Sequence, residues 1–129
     1  MIQKEELRIG NILNYSTAEN DIYKTTLDWQ DLKWISEDPK SFNLVHNSIP
    51  LTKKWLLKFG FEIYKLNNGA YEVKLNDYFT LKFITKDKFR ENDAFYLFTN
   101  DDDSCIVIQY VHSFQNLFFA LTEKELEIN

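Results

Sequence analysis

The sequence contains few of the residues that build cross-linked scaffolds or flexible linkers. Its 129 residues include one cysteine, Cys105, two prolines, three glycines and two histidines. A single cysteine cannot form an internal disulfide, so a reducing, intracellular setting is expected. Because linker residues are scarce and the length suits one hydrophobic core, the sequence predicts a single globular domain spanning residues 1–129.

Long apolar segments are also missing from the sequence. No apolar run approaches the roughly 18 residues of a membrane-spanning helix. The start, Met-Ile-Gln-Lys-Glu-Glu, has no apolar stretch behind its charges, so we expect no signal peptide. These absences predict a soluble, cytoplasmic protein without a membrane partner.

Recognisable catalytic motifs are absent too. There is no phosphate-binding glycine loop, no nucleophile elbow and no HExxH helix. Cys105 and His112 could form a thiol nucleophile and its base, but their spacing favours a buried structural cysteine and a histidine that bonds backbone groups. Asp101, Asp102 and Asp103 lack the spacing of an EF-hand loop, which favours a solvated turn. The sequence therefore predicts a non-enzymatic protein with no metal and no cofactor.

What the sequence does contain is a pattern of helices and strands around one apolar helix. Phe114, Leu117, Phe118 and Leu121 recur at helical spacing and predict a helix over 113–122. Two shorter helices are predicted near 29–36 and 53–59 from N-cap residues. The prolines and turn residues between them predict a loop over 38–48.

Strand signals account for most of the remaining chain. Residues 9–15 and 22–27 are predicted to form a hairpin, and apolar alternation over 61–84 is typical of an antiparallel meander. Two further apolar segments follow, at 95–99 and 105–110. The sequence thus predicts an α+β domain in which a strongly bent antiparallel sheet of about six strands packs on the helix at 113–122.

Charge is distributed unevenly along the chain. The net charge is −5, yet residues 49–90 carry nine basic and four acidic side chains. Lys53 and Lys54 begin a predicted helix, where cations are disfavoured by the helix dipole, and this favours an anionic partner near them. A solvated surface of mixed charge is the alternative interpretation.

Basic and aromatic side chains are interleaved in residues 74–90. This composition suits single-stranded nucleic acid, because lysines contact phosphates while rings stack on bases. The alternative is that Phe79 and Phe83 are core residues and the lysines lie on the wet face of a strand. The candidate nucleic-acid-binding residues are Tyr78, Lys82, Lys86, Lys88 and Arg90.

One edge of the predicted C-terminal helix combines polar residues with an aromatic ring. Phe119 lies off the main apolar stripe and shares an edge with His112, Gln115 and Asn116. These polar side chains could hold backbone groups of the first strand. Alternatively, Phe119 and its polar neighbours could form an interface hot spot.

Three sequence blocks resemble a family of short uncharacterised proteins found in Bacteroidetes chromosomes and in their phages and prophages. The blocks are Glu6-Leu7-Arg8-Ile9-Gly10-Asn11, Ile49 to Phe61, and Tyr110 to Thr122. The chain departs from the family at Ser113-Phe114, where relatives carry Gln-Leu, and at Glu123, where they carry glycine. No catalytic residues come with this resemblance, which implies an accessory protein of a mobile element.

Two functions follow from these observations. The first is a non-enzymatic protein that binds a host protein or ribonucleoprotein and inhibits a nucleic-acid-targeting defence complex such as a CRISPR effector. The second is a small single-stranded nucleic-acid-binding module using residues 74–90. The sequence leaves the oligomeric state open.

Overall fold

The computed structural model describes residues 1–85, 92–99 and 105–128. Their helices and strands, in chain order, are β1 (Ile12–Ser16), β2 (Ile22–Thr26), α1 (Trp29–Glu37), α2 (Pro39–Val45), β3 (His46–Asn47), α3 (Lys53–Lys58), β4 (Tyr64–Lys65), β5 (Tyr71–Lys74), β6 (Phe79–Ile84), β7 (Ala94–Thr99), β8 (Cys105–Ile108) and α4 (Val111–Thr122). All strand pairs are antiparallel. The α+β class is therefore confirmed. No helix of the described ranges is long and apolar enough to cross a membrane.

The strands form two sheets, whereas the sequence predicts about six strands in one bent sheet. One sheet has the order β2-β1-β3 and the other has the order β4-β5-β6-β7-β8. The chain divides correspondingly into two compact units, Met1–Pro50 with Tyr110–Leu117 and Leu51–Gln109 with Phe118–Asn129. The single domain over residues 1–129 stays a prediction.

The first unit begins with the predicted hairpin of β1 and β2. Its pairing runs from Ile12 opposite Thr26 to Ser16 opposite Ile22. Gly10, at φ +94°, bends the chain just before β1, and its N–H donates to the carbonyl of Leu27 at 2.9 Å. The glycine in the sequence thus marks the point where the chain turns into the hairpin.

Two consecutive helices, α1 and α2, follow the hairpin. The Asp28 carboxylate caps α1 by accepting the N–H groups of Gln30 and Asp31. The predicted loop over 38–48 is wrong, because α2 occupies Pro39–Val45 and β3 follows it. Pro39 does end α1, but it also takes the first position of α2, where proline fits without losing a hydrogen bond.

The hydrophobic core of the first unit lies between these helices and the hairpin. Trp34 packs edge-on against Phe42, with ring centroids 5.5 Å apart. The buried members of this core are Ile2, Leu7, Leu13, Leu27, Ile35 and Phe42. Burial of such side chains contributes about 1.5–3 kcal/mol each.

In the second unit, the five-stranded sheet has one strongly buried face, which we call the inner face. Rings of Tyr71, Phe83 and Phe95 stack across β5, β6 and β7, with centroids 5.1 and 4.8 Å apart. Val73 and Leu81 lie fully buried on this same face. The alternating residues of 71–84 therefore face the core as the sequence predicts.

Helix α3 begins after Thr52 and ends before Gly60, as predicted, but Thr52 does not cap it with its side chain. Thr52 takes the N-cap position without forming a side-chain cap hydrogen bond. Gly60 follows the helix at φ +89°, and the N–H of Phe61 reaches back to the carbonyl of Leu56 at 3.1 Å. This is the glycine-terminated ending that the sequence indicates.

Helix α4 starts two residues before its predicted position. Phe114 and Phe118 of the predicted apolar stripe are buried, while Leu117 and Leu121 are only half-buried. The polar residues His112 and Gln115 are buried instead, at 0% and 2% exposure. Periodicity counts only apolar residues. The predicted buried face of α4 is therefore rotated away from the observed one, which includes His112 and Gln115.

Glu123 ends α4 in a strained backbone conformation. Its φ is +61°, and its N–H donates to the carbonyl of Phe119 at 2.7 Å. Left-handed backbone costs a residue with a side chain about 1–2 kcal/mol, and glycine avoids this cost.

We therefore expect Glu123→Gly to raise the free energy of unfolding by about 0.5–1 kcal/mol, measured by urea denaturation. Glu123 is exposed, so little packing is lost. The neighbouring exposed Lys124, whose φ is not positive, provides the control. Lys124→Gly should leave stability unchanged or lower it, and an equal loss in both variants would contradict the strain at Glu123.

Candidate partner-binding surface

The face of the five-stranded sheet opposite its inner face carries apolar residues next to lysines. Between β6 and β7, Lys82 lies opposite Tyr96 and Thr80 lies opposite Phe98. Between β7 and β8, Tyr96 lies opposite Val107. Residues paired directly across strands share a face. This surface, which we call the outer face, comprises Tyr64, Glu72, Lys74, Thr80, Lys82, Ile84, Ala94, Tyr96, Phe98, Cys105 and Val107.

Several apolar side chains of the outer face are accessible. Val107 is 59% exposed and Ile84 is 38% exposed, while the rings of Tyr96 and Phe98 are half-buried. The Lys82 ammonium lies over the Phe98 ring, 5.2 Å from its centroid. An antiparallel sheet with one solvated face normally alternates apolar and polar residues. Here β7 and β8 carry apolar residues on both faces, which is typical of a surface that binds another molecule.

The structure brings together only part of the predicted basic-aromatic cluster. Lys82 lies on the outer face beside Phe98, and Tyr78 is 68% exposed in the turn before β6. Phe79 and Phe83 lie on the inner face, as the core interpretation predicts. The remaining three members, Lys86, Lys88 and Arg90, lie outside the described residues.

Lys53 and Lys54 have different surroundings at the start of α3. The Lys53 ammonium lies 4.4 Å from the centroid of the Tyr71 ring, and the Lys53 backbone N–H donates to an Asp93 carboxylate oxygen at 3.3 Å. Lys54 is exposed. Asp93 thus places a negative charge at the helix start, which offsets the unfavourable position of the two lysines.

Gln115 and Asn116 hold the chain that enters β1. The Gln115 side chain accepts the N–H of Ile12 at 2.9 Å and donates to the carbonyl of Gly10 at 3.0 Å. Asn116 donates to the carbonyl of Glu6 at 2.7 Å and accepts from the side-chain amide of Asn11 at 2.7 Å. These contacts give the polar edge of α4 a structural task within the first unit.

His112 has a different environment from the other two polar residues. It is fully buried, and neither ring nitrogen has a hydrogen-bond partner among the described residues. Its Nε2 lies 3.8 Å from a carboxylate oxygen of Glu6, and its ring stacks on Tyr110 at 5.7 Å. Burial lowers the pKa of His112, and the nearby Glu6 charge only partly opposes this effect. His112 is therefore neutral at pH 7.

Two other predicted residues have distinct outcomes. Phe119 is half-buried in the part of α4 that belongs to the second unit, and its role in partner binding stays a prediction.

Cys105 is exposed, so the expectation of a buried structural cysteine is wrong. The physical reason is its position at the end of β8, the last strand of the sheet. Within the described ranges, no group of three His, Cys, Asp or Glu side chains could hold a metal ion.

The apolar residues of the outer face were missed by the sequence analysis. Segments 95–98 and 106–108 consist of consecutive apolar residues, which places apolar side chains on both faces of each strand. This uninterrupted pattern was the available signal.

Comparison with family models, with curated proteins and with solved structures yields no match to this chain.

Proposed function

We propose that this chain is a non-enzymatic binding protein that contacts a protein partner through the outer face of its five-stranded sheet. The observation that carries the proposal is a group of accessible apolar side chains on the same face of β6, β7 and β8, namely Ile84, Tyr96 and Val107. Protein interfaces have such centres, where aromatic residues are enriched and charges are depleted.

The composition of the outer face favours a protein over a nucleic acid. Ile84 and Val107 are branched aliphatic side chains, which fill apolar pockets but offer no flat ring for a base. Glu72 lies opposite Lys82 and would repel a phosphate backbone. The described lysines of this face are Lys74 and Lys82, and the Lys82 ammonium already lies over the Phe98 ring of the same sheet.

The biological setting of the proposal comes from the sequence resemblance. A protein of phages and prophages that has a binding surface suits inhibition of a host defence complex that targets nucleic acid, such as a CRISPR effector. Binding through a sheet face requires no catalytic residue, metal or cofactor. The proposed mechanism is occlusion of a functional surface of the partner.

Single-stranded nucleic acid is the second candidate ligand. The observation that favours it is the position of the Lys82 ammonium above the Phe98 ring. Lys82 of β6 also lies directly opposite Tyr96 of β7. Partly accessible rings beside a lysine can stack on bases while the lysine contacts phosphates. Nuclease sensitivity separates this candidate from the first.

The proposal is tested by affinity capture from a host lysate with and without nuclease, followed by a functional assay. We expect wild-type protein to retain its partner after nuclease treatment and to raise plasmid establishment in a host whose defence system targets that plasmid. Val107→Glu should lose both effects, because a buried unpaired carboxylate costs several kcal/mol in an interface. Loss of every partner on nuclease treatment would support the nucleic-acid candidate.

Ile22→Glu is the matched control for Val107→Glu. Ile22 is 65% exposed and lies on a strand of the other sheet, so both substitutions place a carboxylate at an exposed β-branched position. Ile22→Glu should bind and inhibit like wild type. Equal binding by the two variants, or equal loss, would exclude the outer face as the interface.

A further inference from the structure

The first unit contains an open pocket that is separate from the outer face. Its volume is about 620 Å³, within the range of sites for small ligands. Its lining combines Met1 and Ile2 with the polar residues Glu6, Asn43, His46, Asn47, Ser48 and Tyr110. All of them belong to the first unit, so the pocket lies within that unit.

His46 lines this pocket with a ring that is 2% exposed and held in one orientation. Its Nδ1 lies 2.8 Å from the carbonyl of Phe42, which requires the proton on Nδ1 and leaves a lone pair on Nε2. The ring stacks on Phe42 at 3.8 Å, and Tyr15 and Trp34 meet it edge-on, each at 5.3 Å. Burial lowers the pKa of His46, although the Phe42 carbonyl and the Asp31 charge oppose this effect. The ring is therefore immobile and neutral.

Glu6 supplies a negative charge to the same pocket. One of its carboxylate oxygens accepts the N–H of Gln3 at 2.6 Å, which fixes the orientation of the group. The other oxygen lies 3.8 Å from Nε2 of His112, a buried ring that has no hydrogen-bond partner among the described residues. A neutral His112 does not balance the charge of Glu6. The Glu6 side chain is 43% exposed at the pocket wall, so a cation can reach its carboxylate.

Tyr110 and β3 complete the recognition surface. The Tyr110 ring lines the pocket and is braced by stacking on His112. Strand β3 is an edge strand of its sheet, and Asn47 at its end and the following Ser48 line the pocket. An aromatic face, a carboxylate and several acceptors suit a planar cation with many N–H donors.

We propose that this pocket binds a guanidinium group, with the Glu6 carboxylate as its counter-ion and the Tyr110 ring and His46 Nε2 as further contacts. Guanidinium is planar and carries five N–H donors, whereas an ammonium concentrates three donors at one point. The group can belong to a free small molecule or to an arginine side chain of a peptide. This inference is independent of the proposed function of the outer face.

The test is calorimetric titration of the protein with methylguanidine and with the capped peptide Gly-Arg-Gly. The neutral counterparts are methylurea and the capped peptide Gly-citrulline-Gly. We expect a guanidinium ligand to bind at least tenfold more tightly than the neutral counterpart. Glu6→Gln should weaken this binding at least tenfold, and Glu5→Gln, a change of equal charge at an exposed neighbour, should leave it unchanged.

The outcomes separate the two sources of the group and can overturn the proposal. Binding of methylguanidine favours a free ligand, and binding of the peptide alone favours an arginine side chain. Tyr110→Leu provides a second test if Glu6→Gln does not fold, since it removes the ring and should also weaken binding. No binding of either guanidinium, or equal binding of its neutral counterpart, would overturn the proposal.

Discussion

Gln115→Ala is expected to lower the free energy of unfolding by about 2–4 kcal/mol. Gln115 is 2% exposed, and its amide forms two hydrogen bonds with the backbone that enters β1. Removing the side chain leaves the buried N–H of Ile12 without its partner and opens a cavity between α4 and this backbone. Both effects destabilise the folded state, and chemical denaturation at pH 7 measures their sum.

The amide chemistry, as well as the volume, is needed at this position. Gln115→Glu keeps an acceptor for Ile12 but loses the donor to Gly10 and buries a charge, so it should also destabilise strongly. The neighbouring Ser113, which is half-buried, gives the control. Ser113→Ala should change stability by less than about 0.5 kcal/mol. A small effect of Gln115→Ala would mean that these hydrogen bonds do not anchor β1.

Acidification is expected to destabilise the protein through its two buried histidines. Burial lowers the pKa of both His46 and His112 in the folded state, below the ordinary value of 6.5. Their contribution to stability is complete above pH 6.5 and is lost as the pH falls from there through the folded-state pKa values, because only the unfolded chain takes up protons in this range. The slope can reach about 1.4 kcal/mol per pH unit for each histidine.

His112→Leu separates the contribution of one histidine from that of the other. The ring nitrogens of His112 have no hydrogen-bond partners among the described residues, so an apolar side chain of similar size should leave stability at pH 7 nearly unchanged. Its loss of stability between pH 7 and pH 5, followed by denaturation at each pH, should be smaller than that of wild type. An unchanged acid response would show that His112 is not the group being protonated.

Local signals explain the parts of the fold that the sequence predicted. The cap at Asp28, the bend at Gly10 and the glycine after α3 act through neighbouring residues, so their effects can be identified within one window of sequence. Strands β3 and β4 have two residues each, which is too short for a pattern. Helix α2 was missed because Pro39 both ends one helix and starts the next.

Long-range contacts account for what the sequence could not specify. The hydrogen bond between Gln115 and Ile12 joins residues 103 positions apart, and nothing near Gln115 in the sequence indicates its partner. The outer face was missed for a related reason. Its residues belong to separate strands, and only pairing of Tyr96 with both Lys82 and Val107 places them on one surface.

Photocrosslinking from the outer face tests the central claim most directly. A benzoylphenylalanine residue would replace Val107 in one variant and Ile22 in the other, both exposed β-strand positions. After irradiation in host cells, position 107 should give a discrete crosslinked protein that survives nuclease treatment, and position 22 should not. Absence of that product at position 107, or the same products from both positions, would contradict binding through the outer face.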